Sequence, residues 1–267
     1  MFALMKKLSL LFTALVLLVA VNNKAAVAAE WYSGIYVAPK LSYNYVVMDP
    51  LRVDVAGFTI AAQGYDFSKG ENDDSFGLAL AIGYDFDKRL GIPVRTELEY
   101  SYLGRASGSA ARQQIPSPGH ALNSGYNQKM DIQTVFLNAY FDIKTGTPFT
   151  PYVGGGLGFA MIDVEKAGLE ETLYYPGGSM ASSLSPGSKT HTNFAWNIGA
   201  GLGWDITPAI TLDLGYRYMM LGEAKSKWLD VTGGAGALSF RTKVDDVNIH
   251  QVSLPFGIPS SYTCFCS

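Results

Sequence analysis

Ile210-Thr211-Leu212-Asp213-Leu214-Gly215-Tyr216-Arg217-Tyr218-Met219 alternates without a break. Successive side chains of a β-strand point to opposite faces. Ile210, Leu212, Leu214, Tyr216 and Tyr218 therefore share one face, while Thr211, Asp213, Gly215 and Arg217 share the other. One side is greasy and the other is polar, charged or bare.

The same pattern recurs on both sides of this stretch. Over residues 94–103, Val94, Thr96, Leu98, Tyr100 and Tyr102 oppose Arg95, Glu97, Glu99 and Ser101. Over 75–86, Phe76, Leu78, Leu80, Ile82, Tyr84 and Phe86 oppose Ser75, Gly77, Ala79, Ala81, Gly83 and Asp85. Over 193–206, Phe194, Trp196, Ile198, Ala200, Leu202, Trp204 and Ile206 oppose Ala195, Asn197, Gly199, Gly201, Gly203 and Asp205. Less regular strands are expected at 32–45, 132–143, 152–164 and 244–254, which makes eight.

The N-terminus says where such strands belong. Lys6 and Lys7 precede an apolar-to-small stretch from Leu8 to Val21. That order reads as a cleaved secretory signal over 1–29, since it is too short for a spanning helix of about 20 residues. Cleavage is expected after Ala26-Val27-Ala28 or after Val27-Ala28-Ala29. Beyond residue 30 no apolar run is long enough to cross a membrane as a helix. Yet the chain is 48% hydrophobic, only 16% charged, and contains 29 Gly and 16 Tyr, so strands must carry the apolarity. Removing Lys6, Lys7 and Lys24 from the 20 basic residues leaves 17 against 23 acidic, a formal charge of −6. That balance excludes nucleic acid as an expected partner.

The small or ionic face does not suit a dry core. The apolar face carries aromatics near its ends, Tyr84, Phe86, Tyr100, Tyr102, Trp196, Trp204, Tyr216 and Tyr218, as a girdle at two membrane interfaces would. The expected fold is all-β: an eight-stranded antiparallel transmembrane β-barrel over 30–254. Connections alternate in length. Short turns lie at 87–91, 144–149 and 207–209, and long loops at 46–74, 104–130, 165–192 and 221–243. Short turns and both termini are expected in the periplasm, and long loops outside. Parts of the loops, 52–61 and 237–244, could extend the hairpins as strand.

Inside so narrow a barrel side chains fill the space, so Arg95, Glu97, Glu99, Asp213 and Arg217 should pair as buried charges must. The three histidines offer no catalytic arrangement: His250 and Ser253 fall on opposite faces, and His120 and His191 lie in loops. Gly154-Gly155-Gly156 lacks the Lys-Ser/Thr of a phosphate loop. No metal or cofactor is expected.

The opening Trp31-Tyr32-Ser33-Gly34-Ile35-Tyr36, the strands 194–201 and 212–218, and Ile249-His250-Gln251-Val252-Ser253-Leu254 together resemble the opacity-type surface-antigen barrels of Gram-negative bacteria, relatives of the OmpA transmembrane domain. The resemblance spans nearly the whole mature chain and implies a surface-exposed outer-membrane protein, often antigenic and sometimes an adhesin. The chain departs from that family after Leu254. Its members finish on a strand ending in an aromatic residue, whereas Pro255-Phe256-Gly257-Ile258-Pro259 and Cys264-Phe265-Cys266-Ser267 follow here. Either the strand is complete at Leu254 and 255–267 is a periplasmic tail, or the reading frame has shifted there.

Two functions remain open. One is a non-enzymatic, monomeric surface barrel, seated in outer-membrane lipid including lipopolysaccharide, whose loops meet host or environmental ligands. The other is a narrow channel for small solutes or ions, gated by the lumen charges.

Overall fold

The computed structural model describes residues 34–57, 65–67, 71–117, 119–165, 168–207, 210–233 and 236–259. The signal segment with Ala26, Ala28 and Ala29, the residues 31–33, and the cysteine-bearing segment 260–267 lie outside the described residues.

Eight long strands follow in chain order: β1 (Ile35–Gly57), β2 (Glu71–Asp85), β3 (Val94–Ser117), β4 (His120–Asp142), β5 (Phe149–Val164), β6 (Lys189–Thr207), β7 (Ile210–Met220) and β8 (Gly236–Pro259). Each pairs antiparallel with its sequence neighbour, and β8 returns to pair with β1 from Gly57↔Leu238 to Tyr36↔Pro259. The sheet is therefore closed, and closure removes the exposed edges that an open sheet must otherwise protect. At one end the connections are tight. A single helical turn, α1 (Asp87–Leu90), links β2 to β3 and stops at Gly91, whose φ of 66° is left-handed and suits glycine.

The alternation decides what faces out. Phe76 (81% exposed), Leu137 (64%) and Phe194 (62%) stand on the outer surface, while the adjoining residues Ser75, Asn138 and Ala195 are buried. This is an apolar exterior around a filled interior, the reverse of a water-soluble barrel.

Two expectations are corrected. Among the described residues, the segments 46–74, 104–130, 165–192 and 221–243 are largely strand rather than loop, well beyond the extensions expected at 52–61 and 237–244. β1 runs on to Gly57, and β3 and β4 form one hairpin up to the pair Ser117↔His120. Gly168–Tyr175 and Gly178–Leu184 make a further hairpin on the edge of β4. Strands of up to 24 residues exceed the 9–11 or so that cross a membrane, so they continue beyond it as a collar.

The second correction is at the C-terminus. The eighth strand does not end at Leu254: Pro255, Ile258 and Pro259 still pair with β1, and Phe256 and Gly257 with β7. Proline lacks a ladder donor. The β1–β8 register skips the two positions opposite Ala38 and Pro39, and the β7–β8 register skips Leu254 and Pro255. Pro39 thus falls at a break in the β1–β8 ladder and Pro255 at one in the β7–β8 ladder, while Pro259 is the last residue of its strand.

Glycine faces inward where strands carry bulky partners. A Cβ on Gly158 would lie 2.0 Å from the Val135 carbonyl oxygen and 2.9 Å from the Phe136 ring. Gly158→Ala should therefore force β5 from β4 and lower stability by about 1–3 kcal/mol. Chemical unfolding of the refolded variant measures this, and an unchanged midpoint would show that the close approach is dispensable.

Candidate functional site

The interior divides into two storeys. In the half nearer the tight turns, the lining is polar. β1 presents Tyr36, Lys40 and Asn44, β3 presents Arg95, Glu97 and Glu99, and β7 presents Asp213 and Arg217. Glu99, fully buried, accepts from Lys40 Nζ at 2.7 Å and from Arg217 Nη2 at 2.6 Å, with Ser101 Oγ at 2.7 Å. Lys40 also reaches Glu97 at 2.5 Å, and the Tyr36 hydroxyl donates to Glu97 at 2.8 Å. Arg217 Nε donates to Gln251, whose amide donates to Asn44, tying β7, β8 and β1 together.

A second group lies closer to the turns. Arg95 grips Asp142 with two bonds of 2.7 and 2.9 Å and stacks over the rings of Tyr152 and Tyr140 at 5.0 and 5.6 Å. Two parallel N–H bonds give an arginine–carboxylate pair a fixed geometry. Asp213 accepts from the Tyr152 hydroxyl at 2.6 Å.

All five charged residues read from the alternation thus face the lumen, but in two groups. Glu97, Glu99 and Arg217 share one network, while Arg95 and Asp213 belong to the other. Lys40, the cation that bridges Glu97 and Glu99, was missed, as were Tyr36, Tyr140, Tyr152 and Gln251. The signal for Lys40 was available. It stands in register with Tyr36, Ala38, Ser42 and Asn44, the small and polar set of β1.

The half nearer the long loops is a dry apolar layer. Val46, Met48, Leu103, Met130, Ile132, Phe136, Ile162, Val164, Met219, Leu221, Val247 and Ile249 are at most 3% exposed and form one cluster. With Ala195 of β6, seven of the eight strands contribute, β2 being the exception. Sequence reasoning expected a lumen too small or too ionic for such packing. The reason lies in the surroundings. Within the membrane the outward residues meet lipid and are apolar, as with Leu41, Tyr43 and Tyr45 of β1; beyond it the outward face meets water, and the apolar side chains, Val46 and Met48, stand instead on the inward face that Lys40, Ser42 and Asn44 began. The same exchange occurs between Leu214 and Met219 on β7, and between Val252 and Ile249 on β8.

The predicted aromatics lie on the outer face at two levels. Tyr84 meets Phe86 edge-on at 4.8 Å, and Trp204 stacks on Phe149 at 6.0 Å, both near the turns. Toward the loops, Trp196 meets Tyr218 at 5.9 Å, Tyr218 meets His250 at 5.3 Å, and Tyr216 hydrogen-bonds His250 Nδ1 at 2.7 Å. Tyr100 and Tyr102 donate to Gln133 and Asp131 on the adjacent strand.

His191 contacts the Lys225 carbonyl oxygen at 2.7 Å, and His120 begins β4. Among the described residues no cluster of three His, Cys, Asp or Glu is placed to hold a metal ion. In the collar, Arg105 bridges Asp131 and Glu165. A hydrogen bond from Lys225 holds the Glu223 carboxyl below the ordinary carboxylate range.

An antiparallel barrel of eight closed strands, greasy outside and filled within, defines a transmembrane β-barrel of the outer membrane. The chain matches the family described as outer membrane protein beta-barrel domain over residues 11–257, and it belongs to that family. It is 30% identical over 154 residues to outer membrane protein PagN of Salmonella typhimurium, covering 55% of this chain and 58% of PagN. It therefore spans less than two thirds of that relative. To the opacity protein opA58 of Neisseria gonorrhoeae it is 26% identical over 254 residues, covering 83% of this chain and 92% of the relative. Among solved structures it is similar to Neisserial surface protein A, with a TM-score of 0.47 and 18% identity over 85% of this chain and 97% of that one.

Proposed function

We propose that the barrel is a rigid anchor and that its collar and loops make the contacts of the cell surface, serving adhesion or presenting antigen. The observation that carries this reading is the apolar cluster packed inside the collar above the charge network, surroundings that disfavour the passage of an ion. The investment in strands that outrun the membrane also supports it, because rigid hairpins hold recognition loops clear of the lipid. The outward belt of Trp196, Tyr218 and His250 would then sit at the headgroup level of the lipopolysaccharide leaflet.

Two measurements test the proposal. In planar bilayers the purified protein should show no discrete openings, with or without neutralisation of Arg217; regular single-channel steps would replace the anchor with a pore. Cells expressing the protein should bind a candidate host surface, and deleting the Gly168–Leu184 hairpin should abolish that binding while leaving the barrel in the membrane. Equal binding by the deletion strain would remove that hairpin from the contact.

A further inference from the structure

Closure removes the free edges of the barrel wall, but the collar keeps one. Gly178–Leu184 pairs in unbroken register with Gly168–Tyr175, from Leu169↔Leu184 to Tyr175↔Gly178, and no strand lies along its other side among the described residues. The turn decides which groups that side offers. Gly177, with a φ of 107°, supplies the left-handed residue after Pro176, and a two-residue turn of this kind makes Tyr175 and Gly178 a hydrogen-bonded pair. Such pairs alternate along an antiparallel ladder. The N–H and C=O groups of Ser179, Ala181 and Ser183 therefore point away from Gly168–Tyr175 into solvent.

A free edge is a template for another chain, and proteins blunt it with charge, proline, a bulge or brevity. Gly178-Ser179-Met180-Ala181-Ser182-Ser183-Leu184 uses none of these. It has no charged residue and no proline, its register has no bulge, and it is seven residues long. The other one-sided strands of the collar differ. Tyr65–Phe67 and Ala224–Lys225 are three and two residues long, and Leu229–Gly233 carries Asp230. Only the hairpin edge is long, flat and neutral among the described residues, which suits it to receive a strand.

Charge and exposure narrow what that strand is. Ser183 and Ser182 stand opposite Glu170 and Glu171, neither of which is paired with a cation among the described residues. An added strand would lie about 10 Å from the glutamate backbone, two inter-strand spacings, a gap that a lysine or arginine and a glutamate close together across a short serine. At the turn end, Met180, Tyr174 and Tyr175 are 68%, 46% and 41% exposed and offer apolar surface. A second copy of the same edge fits poorly, because two paired hairpins would set four carboxylates at one seam with no cation between them. Resting on the surface-contact reading above, we propose that Gly178–Leu184 takes up, by strand addition, an extended segment of a partner protein that is basic at one end and apolar at the other.

Fluorescence anisotropy on the full-length protein refolded in detergent micelles tests this. The probes are two labelled heptapeptides of alternating valine and threonine, one with two lysines at its N-terminal end and the other with two at its C-terminal end. At least one should bind saturably. The same peptide N-methylated along its backbone should bind about tenfold more weakly or worse, the effect of losing one or two backbone hydrogen bonds. Ala181→Pro removes an outward N–H while sparing the bonds to Gly168–Tyr175, and should cause a similar loss. Glu170→Gln combined with Glu171→Gln should weaken binding about threefold at low salt and flatten its salt dependence. The methylated peptide is measured on the parent protein, so it decides the matter if the proline variant misfolds. The proposal is overturned if neither lysine peptide binds, or if methylation or Ala181→Pro leaves binding unchanged. It is also overturned if sedimentation finds dimers of the parent that Ala181→Pro abolishes, which would put a second copy on the edge. Should both peptides fail while deletion of Gly168–Leu184 still abolishes cell adhesion, strand addition falls and the surface-contact reading stands.

Discussion

Glu99→Gln should lower the unfolding free energy by about 3–5 kcal/mol, the cost of removing one partner from a buried ion pair. Glu99 is fully buried and is the shared counter-ion of Lys40 and Arg217, each only 8% exposed. Glutamine retains the shape and can still accept a hydrogen bond, so the change isolates charge. With Glu99 neutral, Glu97 alone would face both cations. The measurement is the denaturant midpoint of protein refolded into bilayers, at unchanged slope. Arg217→Gln added to Glu99→Gln should recover part of the loss, because the second change removes the stranded cation. A loss under about 1 kcal/mol, the range of exposed pairs, would mean that water in the polar half of the lumen screens the group as a surface would.

Phe136→Ala should have an effect of similar size by another route. The ring is fully buried at the floor of the apolar layer, 6.0 Å from the Arg217 guanidinium and against the glycine surface of β5. Truncating a buried phenylalanine costs about 3–5 kcal/mol through lost transfer energy and a residual cavity. It would also thin the seal between the polar half of the lumen and the collar. Conductance of this variant is therefore informative: brief openings absent from the parent would identify the layer as the seal. A destabilisation below about 1 kcal/mol would mean that the neighbouring Met130, Met219 and Ile132 collapse into the space.

The two substitutions also mark how far the sequence could be read. The strand at 210–219 and its repeats at 75–86, 94–103 and 193–206 show clean alternation because both surroundings, lipid outside and a packed lumen inside, are uniform along them. The barrel, its strand number and its inward charges on β3 and β7 were legible for that reason. Lys40 was harder to see, because Ala38 and Pro39 dilute the contrast around it. At Val46, Gly104 and Met130 the periodicity reads as loop where strand continues, the very places where apolar residues change sides. On β3 the change of face is made by a bulge between Tyr102 and Gly104, and Gly104 has a φ of 90°. A reader of periodicity loses the strand at such a point, since a one-residue slip exchanges the two faces. Pro255 reads as an end for a similar reason. Proline signals a break in a ladder, and here the break spans two positions before pairing resumes.

The exchange of faces at the membrane boundary has a consequence for how this protein can change over time. Below the boundary, lipid and the lumen both restrict what a strand position may hold. Above it, the inward set, such as Val46, Met48, Met219 and Leu221, is committed to packing, while the outward set makes only scattered polar contacts such as those of Arg105. Substitution should therefore be tolerated there at every second residue. The part of the molecule seen from outside the cell could be rewritten in steps of two without disturbing what keeps it upright.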